Sequence, residues 1–459
     1  MAGQHRLKLG LVGLAWPIFI EQVTGGLVLA ADTWFLSRIG DVAAASIGSL
    51  GSVLLLGYFI LPQFSSAGTA VASQYMGAGR DEEVVPTWIG NLVISVALGL
   101  ALSLALFGCA PYVGLWLGMA PDEARYAAEF LGVSAFVFVL VGARGAYASV
   151  LASRTLTRWT MAVGVVTNAL NVALNALFMS GAFGLPRLGV RGVALASLLA
   201  YLVGLLLLVF LVHRRLGVRF RIPRLVPRVR AVLGPIFRIG VPAALEPFSW
   251  VMQSFVVTVL VIGLGLEAMA ANTYMHRLIF LDLAVTWSLT AAGQIVMSHL
   301  LGAGRLDAVQ RTYWKVLAIS AAFAFAIMAV FLVFHDAVFG VFTADAGIKR
   351  IGFWLLVISL FTEPIRAANI LGGVALKTVG DGRFSLVVGV AFMWGVIPVI
   401  VASNALGWGV IGIWAVLLLD ETARAAVNVI RWARGSWVGK AVIAAGKGDA
   451  AEAPPGRVP

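Results

Sequence analysis

The sequence is poor in charge. Asp, Glu, Lys and Arg make up only 12% of its 459 residues while 61% are hydrophobic, and a soluble domain carries about twice that charge. Too little polar surface exists to cover a water-exposed body of this size, so soluble folds are excluded. Cysteine is rarer still. With Cys109 alone, neither an intramolecular disulfide nor a thiolate metal centre can form. The five histidines are scattered without ligand spacing, so no metal site and no cofactor is expected. No helical His-Glu-x-x-His and no Ser-His pairing at a usable spacing is present, so the chain is not expected to be an enzyme and no catalytic residue is assigned. The short alternating runs of an outer-membrane barrel are missing too.

What the chain has is long apolar runs. A spanning helix needs roughly 20 mostly apolar residues, and about twelve such stretches begin near Leu9, Ala45, Trp88, Ala127, Trp159, Val190, Val232, Ala270, Tyr313, Gly352, Ser385 and Val410. The expected fold is an all-α polytopic membrane protein. Lys and Arg are retained on the cytoplasmic side, and the stretch 213–238 carries Arg214, Arg215, Arg219, Arg221, Arg224, Arg228, Arg230 and Arg238 with no acid. That stretch reads as a cytoplasmic linker between an N-lobe at 1–212 and a C-lobe at 239–434. An even number of crossings then puts both termini in the cytoplasm, in agreement with Arg6, Lys8, Arg431, Arg434, Lys440 and Lys447; Arg187 and Arg191 are a mild exception. Topology accounts for much of the net charge of +12, so no nucleic-acid partner is inferred. No cleavable signal is expected, and the segment 435–459 reads as a disordered tail.

The halves are copies. One offset, 225, superposes Pro17 on Pro242, Glu21 on Glu246, Gly40 on Gly265, Ala43 on Ala268, Ala45 on Ala270 and Arg158 on Arg383. Its best block sets Ala67–Arg80 on Ala292–Arg305 with 8 of 14 positions matching. Six crossings per half give both copies one orientation, and parallel repeats of this kind describe transporters that alternate access around a site near the midplane.

Gly77-Ala78-Gly79-Arg80 and Gly302-Ala303-Gly304-Arg305 fall where a helix should end, glycine supplying the left-handed cap. Pro17 and Pro242 interrupt the first and seventh spans at equivalent places and are candidate hinges. Asp32 lies 15 residues beyond Pro17, about 22 Å along a helix, and a carboxylate at that depth is a candidate site for a proton or cation. Asn168, Asn171 and Asn175 recur at helical spacing on one face. Their amide oxygens suit a proton-bearing carboxyl or Na⁺, and Ser197 on the next span completes the cluster. Glu246, Asp282 and Glu363 are candidate C-lobe coupling groups, with His276, Arg277, Arg366, Asp420, Glu421 and Arg424 available as static partners.

These motifs resemble the multidrug and toxic compound extrusion (MATE) family. The resemblance runs from about Leu7 to Arg434 and rests on "AWPIFIEQ" with Asp32 downstream, "SQYMGAGR", "NVALN", "LGVRGVALAS", "GVPAALEP" and "SHLLGAGR". It implies twelve helices in two six-helix lobes forming a V-shaped bundle. It further implies export of amphipathic, often cationic compounds driven by H⁺ or Na⁺, and it puts Asp32, Asn171, Asn175 and Ser197 on the N-lobe cation site of the prokaryotic branch related to DNA-damage-inducible transporters. Asn175 stands where that branch commonly has a second acid, which favours H⁺ over Na⁺. In the tenth helix the family's acid aligns with Arg366, one turn after Glu363. The expectation is a monomeric antiporter of small organic molecules in the inner membrane, with Trp34, Phe35, Tyr58 and Phe280 as candidate cavity aromatics. The rival reading is a flippase for lipid-linked oligosaccharide or peptidoglycan precursors, in which Arg144, Arg277 and Arg366 would grip a diphosphate.

Overall fold

The computed structural model describes residues 10–181, 184, 187–218, 222–441 and 443, without the side chains of 29, 41, 52, 53, 55, 56 and 222–226. Among the described residues there is no strand. The chain runs through α1 (Leu11–Ile39), α2 (Asp41–Ser49), α3 (Gly51–Gly77), α4 (Asp81–Trp116), α5 (Pro121–Ser134), α6 (Val137–Ser153), α7 (Thr157–Ser180) and α8 (Gly189–Arg215). It continues through α9 (Ile222–Ile262), α10 (Leu266–Gly302), α11 (Leu306–Val333), α12 (His335–Gly340), α13 (Ala346–Thr378), α14 (Gly382–Gly395), α15 (Ile397–Ala405) and α16 (Gly409–Ala433). Among the described residues ten helical segments are long and apolar enough to cross a membrane, and α3 and α16, by their place in the repeat, complete twelve rods.

The offset of 225 recurs in the helix boundaries. α2 and α10, α4 and α11, α5 and α13, and α7 and α14 start 225 positions apart, as α3 and α10, α6 and α13, and α7 and α15 end. The caps repeat with them. Gly79 and Gly304 have φ of 67° and 72°, and the following Arg80 and Arg305 amides donate to the carbonyls of Tyr75 and Leu300 at 2.9 and 3.0 Å. These are the glycine-terminated ends expected at both Gly-Ala-Gly-Arg motifs. Local breaks separate the copies: α10 is continuous where Leu50 divides α2 from α3, and α13 where 135–136 divide α5 from α6. Conversely Pro398, at the start of α15, accompanies a break that α7 lacks, because proline offers no N–H to the ladder.

The chain folds into two compact units, the second taking it from Val241 onward. Within the first, α7 packs on α1 and α8, and α6 on α4 and α8. Lipid offers no hydrophobic drive to helix association, so small residues that let backbones approach carry much of the packing. A Cβ on Gly99 would lie 2.6 Å from the Phe138 carbonyl, and one on Gly142 would collide with the Ser95 carbonyl. Phe35, Leu36, Leu106, Leu131, Phe138 and Val190 form the apolar core of this unit. In the second, α13 packs on α10, α11 and α16 around Met275, Ile279, Leu355, Leu356, Ile413 and Trp414.

Two segments differ from expectation. The linker expected over 213–238 falls within the first unit, its start closing α8 at Arg215 and its later part helical from Ile222. Val232, Leu233 and Ile236 lie against Gly90, and Phe237 packs edge-on to Phe64 at 5.9 Å, while Arg228 and Arg230 stay exposed. The apolar run read from Val232 is the continuation of a helix that starts ten residues earlier, among the arginines. Arg219 and Arg221 lie outside the described residues, and so does the side chain of Arg224. The tail expected from 435 begins as packed chain: Trp437 is 3% exposed, stacks on Trp432 at 4.6 Å and donates its indole N–H to the Trp432 carbonyl. Residues 442 and 444–459 lie outside the described residues.

Candidate cation-coupling site

α1 carries Asp32 seven residues before its end at Ile39, about 10 Å along the axis. Across from it α7 presents Asn171 and Asn175, both buried. Asn175 Nδ2 donates to Asp32 Oδ1 at 2.5 Å and to Asn171 Oδ1 at 3.1 Å. Asn171 Nδ2 in turn donates to Ser197 Oγ on α8 at 2.9 Å. Asp32, Asn171, Asn175 and Ser197 thus form one hydrogen-bonded chain across α1, α7 and α8. One acceptor of this chain is left over. Asn175 Oδ1 is buried without a partner, which makes it available to a proton-bearing group or a cation. Asn168, expected on the same face, instead ties α7 to α1 through Thr24 at 3.0 Å.

Two tyrosines, Tyr58 and Tyr201, lie within electrostatic reach of Asp32, and their rings lie 6.5 Å apart. The Arg144 guanidinium stands over the Tyr201 ring at 5.6 Å and bonds Glu21 at 3.1 Å. Tyr201 and the Glu21–Arg144 pair were not read from the sequence as parts of this site. Tyr201 follows Ser197 by four residues, one turn on the same face of α8, which is the signal that points to it. Of the remaining candidate aromatics, Trp34 is exposed under the Arg38 guanidinium. Phe35 corrects the expectation, since it is 9% exposed and belongs to the apolar core rather than a cavity wall. Phe280 is exposed on α10.

Pro17 stands in the second turn of α1, and the Thr157 hydroxyl donates to the nearby Leu14 carbonyl at 3.3 Å. Its copy Pro242 meets Gly382, the repeat partner of Thr157, where an added Cβ would lie 3.2 Å from the proline ring. The two glutamates after these prolines are held alike. Gly164 and Gly389, again 225 apart, leave room for Glu21 and Glu246, and each glutamate binds a cation: Arg144 for Glu21, and Lys377 Nζ at 2.6 Å for Glu246. Ser385 also donates to Glu246 at 3.4 Å.

Glu246 also interacts electrostatically with Arg424 of the neighbouring ion-pair network. Glu363 accepts Arg366 Nη1 on both oxygens, at 2.7 and 2.8 Å. Arg366 also bonds Glu421 at 3.2 Å, and Arg424 bonds Glu421 and Asp420 at 3.0 and 2.6 Å. Asp282, 1% exposed, interacts with Glu363 and Arg366, but neither carboxyl oxygen has a hydrogen-bond donor.

The family profile described as MatE matches residues 17–177 and again 242–402, the same interval of 225. The chain belongs to the MATE family. Relatives match it over most of its length. It is 26% identical to "Uncharacterized transporter YisQ" of Bacillus subtilis, covering 94% of this chain and 95% of that protein. It is 24% identical to "Probable multidrug resistance protein NorM" of Thermotoga maritima, covering 95% and 94%. Among solved structures, an outward-facing multidrug resistance MATE transporter of the MOP superfamily superposes with a TM-score of 0.83 at 19% identity, over 94% of this chain and 96% of that one. A MOP superfamily transporter from Pyrococcus furiosus superposes with a TM-score of 0.84 at 20% identity, over the same shares. This MATE protein is a multi-pass membrane transporter of two six-helix repeats.

Proposed function

We propose that this MATE protein is an antiporter that exports amphipathic, often cationic organic compounds in exchange for H⁺. It works as a monomer in the inner membrane with both termini in the cytoplasm, and it falls in the branch related to DNA-damage-inducible transporters. The observation that carries the reading is the Asp32–Asn175–Asn171–Ser197 chain, which supplies one carboxylate and neutral oxygens. One carboxylate suffices for one proton, whereas Na⁺ demands several oxygens and its charge is better met by two acids. Tyr58 and Tyr201 beside Asp32 offer aromatic faces to an organic cation.

In this reading the Asp32 carboxylate attracts the cationic substrate, and a proton arriving from outside removes that charge and releases it. The loss of charge also changes what α1 bonds to across α7, and Pro17 lets the helix respond by bending. No cofactor takes part. The test is ethidium efflux from cells expressing wild type or Asp32→Asn. Efflux and resistance should disappear in the variant at unchanged protein level, and retained efflux would contradict the assignment.

A further inference from the structure

One corner recurs in both repeats and holds an acid in only one of them. Leu156 and Asp381 occupy the N-cap positions of α7 and α14. At the same offset of 225, Arg158 falls on Arg383, Trp159 on Phe384 and Arg215 on Lys440. In each copy a guanidinium from the end of the neighbouring helix lies over the aromatic ring: Arg215 of α8 over Trp159 at 5.3 Å, and Arg431 of α16 over Phe384 at 4.4 Å. The acid makes the difference. Asp381 accepts Arg431 Nε at 2.9 Å and Lys440 Nζ at 2.7 Å, whereas Leu156 has no side-chain acceptor to offer.

The arginines of the first corner meet no other anion. Arg158, Arg214 and Arg215 are exposed, and among the described residues none of them is joined to a carboxylate. Two acids at the start of α4 are engaged elsewhere: Glu82 binds Arg228 at 3.2 Å, and Asp81 interacts with Arg154, whose guanidinium stands over Trp88. Guanidiniums gathered on one corner repel one another unless an anion lies among them, and their planar fork matches a phosphate. The surface leading to them is apolar. Leu206, Phe210 and Arg214 follow one another at intervals of four on one face of α8, and Leu206 and Phe210 are both exposed. Trp159, exposed beside Arg215, is the residue type that sits at headgroup level.

We propose that the corner of α7 and α8 is a binding site for an anionic phospholipid, whose phosphate takes the place that Asp381 fills in the second repeat. Arg158, Arg214 and Arg215 hold the phosphate, while Leu206 and Phe210 line the path of an acyl chain. A zwitterionic headgroup would bring its own cation toward these arginines, so the corner selects a headgroup of net negative charge. On the topology proposed above, this end of α8 meets the cytoplasmic leaflet, whose negative surface attracts basic segments. The lipid site itself depends on neither the antiport nor the ion assigned to Asp32.

Native mass spectrometry of the delipidated full-length protein, titrated in detergent with phosphatidylglycerol, phosphatidylcholine or inorganic phosphate, tests the site. Phosphatidylglycerol should bind more tightly than phosphatidylcholine, and inorganic phosphate should not displace it. Arg158→Gln should weaken phosphatidylglycerol binding about fivefold, the worth of one basic side chain at an anionic surface. Arg383→Gln, the same change on the copy, should leave it unaltered. Leu156→Asp keeps every arginine and supplies the acid from within; it should weaken lipid binding without lowering the unfolding temperature of the lipid-free protein. Equal binding of phosphatidylcholine, displacement by inorganic phosphate, equal losses in Arg158→Gln and Arg383→Gln, or undiminished binding in Leu156→Asp would overturn the proposal.

Discussion

Asn175 uses both hydrogens of its amide within the site, one on Asp32 and one on Asn171, and leaves its own Oδ1 buried and unbonded. A donor is thus fixed toward the carboxylate while an acceptor stays vacant beside it.

Asn175→Asp tests that arrangement by adding the second acid. Two carboxylates facing one another repel unless a cation or a shared proton lies between them. The variant is expected to acquire Na⁺ stimulation of ethidium transport in proteoliposomes, where the wild type responds to a pH gradient alone. Equal insensitivity to Na⁺ in both proteins would show that Asn175 does not set the ion.

Breaking the Glu21–Arg144 pair should cost more than removing it. Arg144→Met leaves the Glu21 carboxylate without its counter-charge in the membrane, and loss of one partner of a fully buried pair costs about 3–5 kcal/mol. The side chains here are 19% and 32% exposed, so roughly half of that is expected. Glu21→Gln/Arg144→Met should recover most of the loss in thermal unfolding in detergent.

Gly79→Ala and Gly304→Ala place a side chain at positive φ, which costs about 1–2 kcal/mol per position. Because the two turns are copies with matching hydrogen bonds, the two variants should lower the unfolding temperature by similar amounts, and their double variant should be additive.

Trp437→Ala should destabilise the second unit by about 3 kcal/mol, since the indole is buried and stacked on Trp432, which itself stacks on Tyr313 at 4.4 Å. Lys440→Ala, which removes one of the two cations on Asp381, should cost less, because its side chain is 36% exposed and such pairs contribute up to about 1 kcal/mol.

The repeat was legible because one offset places chemically special residues, Pro, Glu and Gly, on their copies, and the helix boundaries follow that offset. Asp32, Asn171 and Asn175 were legible because polar side chains stand out in apolar helices and share a helical face. What depends on rotation or on distant chain was not. Trp34 and Phe35 are neighbours in sequence, yet α1 turns one outward and the other into the core. Lys377 lies 131 positions from the Glu246 it binds, and no spacing rule joins them. The first turns of α9 were obscured because arginine dominates their composition, so the span was read only from Val232.

In the proposed mechanism Asp32 couples proton entry to substrate exit. The direct measurement is a proteoliposome assay with an internal pH dye, in which ethidium is added to wild type and Asp32→Asn with and without a Na⁺ gradient. Ethidium-triggered proton movement in the wild type, independent of Na⁺ and absent from the variant, is the predicted result. Proton movement that survives the substitution, or movement that follows Na⁺ instead, would contradict it.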